Sequence, residues 1–586
     1  MYTNSKPILT RGIMKKILYK SILIITSLFL SACARQKDMQ LSDGIFTGHG
    51  AGRNGPIVVE VSISNGKVSD AKIIEESETE EIGKVIEQDL IDDFVSYGST
   101  DALDAVTGAT LTSRGLMEAL QDALDVSRGK KEASVEYKDS ETDLVIIGAG
   151  GAGLTAATEA ALHGAKVIVL EKAGIVGGNT NSATGGLNAS QTSVQKKSGI
   201  KDTNEQFYAD TMKGGHYKND STLVKTMVER SSEIVDWLQS SDVGADLSDV
   251  GLMGGSTNRR THRPVGGQAI GSHLVPRLYA SAKAAGAEIR LNSAVIDILS
   301  EDGKAAGVLV KNEAGTYKIK AKAVIIATGG FGANFNMISR YRPDLKGFAT
   351  TNVKTTTGDA FEWLEKFGAK LRLMEEIQIH PTVVPNRGIL ITEAIRGNGA
   401  IMISKSGKRF VNELDTRDVT SKAVLALPEK RAYIFFNQEV RNSLKAVENY
   451  EKQGLLIKGK SIKDIAGELK IDSAVLEKTL ADYNLFQKTG IDKDFSRNNM
   501  AVSLEKGPYY AVEIEPAIHH TMGGVVINSK AQVLNGENQI IPNLYAAGEV
   551  TGGVHGDNRL GGNSIADITI FGKIAADSAL EQIFKD

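Results

Sequence analysis

Apolar residues alternate at Ile57, Val59, Val61 and Ile63, the period of a strand with one buried face. Asn65-Gly66 follows, a pair suited to hairpins because the tightest turns need positive φ at both positions. Val68 to Ile74 reads as the returning strand, and a helical region comes next. A different pattern begins at Leu144-Val145-Ile146-Ile147, a continuous apolar run suited to a parallel strand buried on both faces. It leads into Gly148-Ala149-Gly150-Gly151-Ala152-Gly153 and an alanine-rich helix ending near His163. Val167-Ile168-Val169-Leu170 is a second buried strand, and Glu171 ends it. Strand, glycine turn, helix, strand and acidic residue, in that order, mark a dinucleotide-binding βαβ unit. Gly148, Gly150 and Gly153 are expected to bring the backbone and helix N-terminus up to a pyrophosphate. Glu171 is expected to bind ribose hydroxyls. From about 366 to 504 the pattern shifts to charged helices and short strands.

The N-terminal pattern is of another kind. Lys15, Lys16 and Lys20 precede a short apolar run, Ile22 to Leu30, and Leu30-Ser31-Ala32-Cys33 follows. A membrane-spanning helix needs about 20 apolar residues, so the run is too short for one. The order of basic, apolar and small-plus-cysteine segments resembles a bacterial lipoprotein leader. That resemblance implies a signal peptide over 1–33, a lipid on Cys33 and a polar tether over 34–42. The protein would then be extracytoplasmic, lipid-anchored to the outer face of the bacterial cell membrane without spanning it. The bland reading is an incidental cysteine in a poor signal anchor. Translation from Met1 or from Met14 fits equally.

Composition sharpens this picture. A chain of 586 residues is too long for one ordinary core. With 68 Lys+Arg against 71 Asp+Glu, the net charge of −3 gives no electrostatic reason to bind nucleic acid. One cysteine excludes an intramolecular disulfide, a thiolate zinc site, a four-thiolate iron–sulfur cluster and a CxxCH haem attachment. Redox chemistry would need another carrier. The 61 glycines exceed the ordinary share of about 7% and point to close backbone approach to a ligand. The nine histidines show no His-x3-His spacing, so no metal site is expected, and His216, His262 and His273 stay unassigned.

Asp104-Ala105-Val106-Thr107-Gly108-Ala109-Thr110 resembles the motif of the FMN-binding domain of flavinylated redox proteins. The resemblance implies a small α+β domain over 43–130. FMN would be joined covalently through a phosphoester on Thr110, and a flavin transferase would read Asp104. On the residues alone, the segment also suits a loop and helix N-cap.

Gly177-Gly178-Asn179-Thr180, Thr184-Gly185-Gly186, Val324 to Gly330, Tyr545-Ala546-Ala547-Gly548-Glu549 and Asn558 to Ser564 carry a second resemblance. They are similar to the flavin-contacting segments of the fumarate reductase and succinate dehydrogenase flavoprotein family. This implies an α/β, Rossmann-like FAD-binding domain in two parts, 141–365 and 505–586, with an inserted α+β capping (clamp) domain over 366–504. The carried-over FAD contacts are Asn179, Thr180, Gly185, Gly186, Thr328, Gly329, Glu549, Asn563 and Ser564. Asn179-Thr180-Asn181 has no histidine, so the resemblance implies FAD without a covalent link.

His380-Pro381-Thr382, Thr392 to Gly397, Asn412 to Asp418 and His519 to Gly524 closely resemble the soluble fumarate reductases of the flavocytochrome type. The FMN-binding segment stands where those proteins carry haem. By this resemblance Arg559 and His520 hold one substrate carboxylate, and His380 and Thr392 the other. Hydride comes from N5 of reduced FAD, and Arg417 is the general acid, fed through Glu393 and Arg396. An arginine fork suits a carboxylate, and a clamp on the carboxylate stabilises charge that develops there. Arginine is a weak acid and needs a carboxylate relay to return its proton. His380 and Thr392 favour a second carboxylate and so fumarate. Leu390 departs from the methionine of some relatives. Urocanate, methacrylate or a cinnamate-like enoate, a desaturating dehydrogenase, and a surface electron relay are the alternatives. The electron donor implied is a membrane quinol or NADH dehydrogenase chain.

Overall fold

The computed structural model describes residues 41–52, 56–76, 80–101, 103, 110–129 and 137–585. Cys33, the leader and most of the tether lie outside the described residues, as do Asp104 and the rest of 104–109. Of Thr110 only the backbone is described: it is the first residue of a helix.

Strands Gly44–Ala51, Pro56–Ser64 and Lys67–Glu75 form an antiparallel sheet, in that order. The expected alternation holds, with Ile57, Val59, Val61 and Ile63 all buried. They face Phe94 of helix Glu80–Tyr97 and Leu116 and Leu120 of helix Thr110–Ser127. Asn65 and Gly66 turn the hairpin with φ of 54° and 67°. The edge strand Gly44–Ala51 was not foreseen. Two of its glycines let the second helix lie directly on it: a Cβ at Gly50 would stand 1.9 Å from the Gly115 carbonyl.

A larger, eight-stranded sheet forms the second body. Its four central strands run parallel: Val167–Leu170, Ser140–Ile147, Gly315–Ile326 and Ile540–Ala546. Ile147 pairs with Leu170 and with Ile326, and Ile326 pairs with Ala546, so the strands end level with one another. Ligands in open parallel sheets bind beyond such carboxyl ends. The residues that follow are Gly148, Glu171, Thr328 and Glu549. Helix Gly151–Leu162 is almost wholly buried, so it can be built of alanine and glycine. It packs on the long helix Asn563–Ile583, where a Cβ at Gly572 would meet the Ala152 carbonyl at 2.6 Å.

A five-stranded antiparallel sheet joins Ile377–Val383, Tyr509–Thr521, Ala432–Asn437, Ile401–Ile403 and Ile457–Gly459. Tyr509–Thr521 passes between two cores. Tyr509 to Ile514 pack with the clamp, and Ile518 packs with the flavin body. It thereby carries His519 and His520 to the junction. Among the described residues, no helix is long and apolar enough to cross a membrane, and no group of His, Cys, Asp or Glu could hold a metal ion.

Candidate active site

One cavity of about 730 Å³ runs from the glycine turn at Gly148 to the junction with the clamp. Gly148, Gly150, Glu171, Asn179, Thr180, Gly185, Gly186, Thr328, Gly329, Glu549 and Ser564 all line it. The chemistry of this wall fits FAD. Gly148 has φ of 103°, and a Cβ there would meet the Ala327 carbonyl at 2.5 Å. Added Cβ atoms at Gly178 and Gly329 would meet nothing within 4 Å, so the backbone lies bare to the cavity. Thr328 Oγ1 is buried with no protein partner, a donor left for a ligand. Glu171 accepts from the Ala149 and Ala173 amides at 2.9 Å, and burial raises its pKa. Two expectations change in detail. Gly153 does not line the cavity: a Cβ there would meet the Gly148 carbonyl at 1.9 Å, so it serves helix–strand packing. Asn563 is turned inward, donating to Thr211 Oγ1 at 3.2 Å and accepting from Asn188 at 2.7 Å. It fixes the helix start while Ser564 faces the cavity.

At the inner end the side chains become cationic. Glu393 precedes the short helix Ala394–Gly397, and Arg417 opens helix Arg417–Leu425. Arg417 Nε donates to Glu393 Oε1 at 2.8 Å and Nη2 to Oε2 at 3.1 Å. Arg396 Nη2 donates to the same Oε1 at 3.3 Å. Burial pushes the Glu393 pKa up, but Arg417, with Arg396 and Arg559 behind it, outweighs burial and holds it at about 2. Arg396 does not line the cavity; it stands behind Glu393. Burial lowers its pKa, and the Arg417 charge adds to this.

Arg559, His520, His380 and Thr392 line the cavity around this triad. Arg559 Nε, both nitrogens of His520 and His380 Nε2 are buried with no hydrogen-bond partner in the protein. Such orphans in one cavity call for a polar ligand. Burial, then the neighbouring Arg417, lowers Arg559 to about 9. Burial, then nearby arginines, drives His380 and His520 well below the ordinary histidine value, so both are neutral near pH 7. Glu549 accepts from the Thr521 amide and hydroxyl at 3.0 and 3.2 Å, and burial pushes it up to about 7. Of the groups lining this end of the cavity, Arg417 and Arg559 thus face one firmly ionised carboxylate, Glu393. That positive surplus suits an anionic ligand.

Two residues at this end escaped the sequence reading. Gln378 accepts from Arg417 Nη1 at 3.0 Å and donates to the Arg559 carbonyl at 2.9 Å, so it ties the two arginines together. It stands two residues before His380 on one strand, and this same-face spacing was the available signal. Tyr450 accepts from the Thr392 amide at 3.0 Å and donates to the Leu390 carbonyl at 3.4 Å. Nothing local marked it. The unassigned histidines are held elsewhere: His216 by Asp557 at 2.6 Å, His262 by Thr192 at 2.8 Å and His273 by the Asp246 amide at 2.8 Å. Thr112 and Arg114, just inside helix Thr110–Ser127, also line the cavity, so the small domain borders it.

The family models agree with this division. Residues 143–565 match the FAD binding domain and residues 52–125 the FMN-binding domain. The chain is 45% identical over 455 residues to a fumarate reductase (cytochrome) of Shewanella frigidimarina, covering 77% of this chain and 79% of that protein. It is 40% identical over 532 residues to an NADH:fumarate oxidoreductase of Klebsiella pneumoniae, covering 90% of this chain and 57% of that longer protein. A urocanate reductase of Eggerthella lenta is 35% identical, with 91% and 92% covered. A solved flavocytochrome c3 fumarate reductase in the open conformation is 42% identical with a TM-score of 0.65, covering 76% of this chain and 79% of that one. The chain belongs to the flavocytochrome-type fumarate reductase family, with an FMN-binding domain ahead of the FAD-binding domain. It is an oxidoreductase acting on CH–CH groups.

Proposed function

We propose that this family member reduces fumarate outside the cytoplasmic membrane, with electrons entering through FMN on Thr110. The observation that carries the reading is the buried Arg417–Glu393–Arg396 array, opening between two sets of orphaned clamp groups. Bound FAD, once reduced, supplies a hydride to one alkene carbon. The chain's own residues do the rest. Arg559 and His520 hold one carboxylate and polarise the alkene. Neutral His380, with Thr392, holds the other. Arg417 delivers a proton to the adjacent carbon, and Glu393 and Arg396 return one to it. The guanidinium gives up its proton because the developing carbanion is far more basic, and the Glu393 carboxylate 2.8 Å away is placed to pass one back. Fumarate takes up one hydride and one proton and becomes succinate.

His380 and Thr392 support a dicarboxylate over urocanate. Urocanate, and acrylate as reduced by a 30% identical Vibrio harveyi oxidoreductase, remain the runner-up substrates. Thr112 and Arg114 on the cavity wall support electron entry from the small domain. Lipid on Cys33, a flavin transferase acting at Thr110 and a quinol or NADH dehydrogenase donor complete the proposal.

The protein reduced with viologen and offered fumarate, urocanate, methacrylate, acrylate and cinnamate tests it. Fumarate should reoxidise the flavin fastest; no reoxidation by any of them sinks the reductase reading. Thr110→Ala should lose the FMN mass shift, and its survival would move the attachment elsewhere.

A further inference from the structure

A second buried carboxylate lies directly behind the array. Glu413 is wholly buried, and four donors occupy it. Arg409 reaches both oxygens at 2.8 Å, Arg497 Nη1 reaches Oε2 at 3.0 Å, and the Met402 amide reaches Oε1 at 3.2 Å. Its pKa is lowered despite burial, by Arg409 and Arg497. Arg497 is 1% exposed, and its remaining donors go to main-chain carbonyls. Nε donates to Asn499 at 2.8 Å, Nη1 also to Ala400 at 2.9 Å, and Nη2 to Arg396 at 2.7 Å. Arg396 in turn donates from Nη1 to the Glu413 carbonyl at 2.7 Å. Each end of Arg396 is therefore gripped by the Arg497–Glu413 pair. Arg497 holds its carbonyl, and the Glu413 main chain holds its guanidinium.

This arrangement is a poor proton conductor. Arg396 meets the carbonyl of Glu413 and not its carboxylate, and that carboxylate has no lone pair left uncommitted. A fixed pair of this kind can hold a neighbour in place. A lysine at 497 could not serve so many partners, because its three donors radiate from one atom.

We propose that Arg497 is a positioning residue for proton delivery: with Glu413 it keeps the Arg396 guanidinium aimed at Glu393. The inference rests on the proton-relay reading above and adds what holds the relay's distal end. Loosening the network around Arg497 should slow proton return without touching the carboxylate clamps, since neither Arg497 nor Glu413 lines the cavity.

The test compares Arg497→Lys with the parent protein, both loaded with flavin. The variant should keep its FAD content and keep KM for fumarate within about twofold. Its kcat should fall about tenfold, and the solvent deuterium isotope effect on kcat should rise as proton transfer becomes limiting. An unchanged kcat and isotope effect overturns the proposal, and so does a rise in KM in step with lost FAD, which marks a merely structural role. If Arg497→Lys does not fold, Glu413→Gln keeps the carbonyl that Arg396 contacts and removes the fixed charge. It should show the same isotope-effect rise with a smaller loss of kcat, and an unchanged isotope effect overturns the proposal. Arg417→Ala, run alongside, separates the two readings: if it stays active, the relay itself is wrong, whatever Arg497 does.

Discussion

Glu393 and Glu413 stand twenty residues apart in the same clamp, Glu413 wholly buried and Glu393 largely so, and each is paired with two arginines. Their surroundings give them opposite uses. Glu413 is sealed: four donors fill its oxygens and it does not line the site cavity. Glu393 opens on the cavity, as does its partner Arg417, which also bonds to Gln378. Buried ion pairs contribute little net stability while intact, but breaking one leaves an uncompensated charge. The difference teaches that a buried Arg–carboxylate pair becomes chemical only where one face stays free for a third group.

Four tests probe that contrast, from the largest effect down. Arg417→Ala should cut kcat by about 10³- to 10⁴-fold in steady-state fumarate reduction, with both flavins still bound. Glu413→Ala should act first on folding, lowering unfolding free energy by about 3–5 kcal/mol in denaturant titration because Arg409 and Arg497 lose their shared anion, with a kcat loss far smaller than that of Arg417→Ala. If it proves as stable as the parent yet as inactive as Arg417→Ala, the contrast between sealed and open carboxylates fails. The third test is pH. Arg559 is cationic below about 9 and loses its charge above it, so kcat/KM in the free enzyme should fall as pH rises through about 9. A flat profile to pH 10 would show that Arg559 keeps its charge there; an unchanged KM for fumarate in Arg559→Ala would remove it from the carboxylate clamp. The smallest effect is expected of Tyr450→Phe. It takes one hydrogen bond from the Thr392 amide, a loss of about 1 kcal/mol, so KM for fumarate should rise about fivefold with kcat unchanged.

Much of the site was legible because its residues travel in short motifs. The glycine turn after Ile147 and the Glu after Leu170 are local signals, and both fall at strand ends in the sheet. Asn563 and Gly153 were assigned to FAD, and both instead hold the backbone that shapes its cavity. A motif tells which segment approaches a ligand; the rotation of each side chain is set by its neighbours in space. Gln378 could have been found by the strand period shared with His380, whereas Tyr450 and Arg497 gave no local sign.

The sequence by itself determined the strand–turn–helix order, the two flavin-binding segments, the presence of a single cysteine and the identities of the charged groups. The strand–turn–helix order follows from periodicities and spacings that the backbone obeys residue by residue, and the flavin-binding segments rest on their likeness to known families. Resemblance already brought Arg417, Glu393 and Arg396 together, but only the tertiary structure gave their geometry and set Arg497 and Glu413 behind them. Arg417 reaches Glu393 across 24 residues and Arg497 reaches Arg396 across 101, separations at which no periodic pattern carries information. The choice between a sealed carboxylate and an open one belongs to that level, because burial and lone-pair saturation depend on every segment that closes around the group.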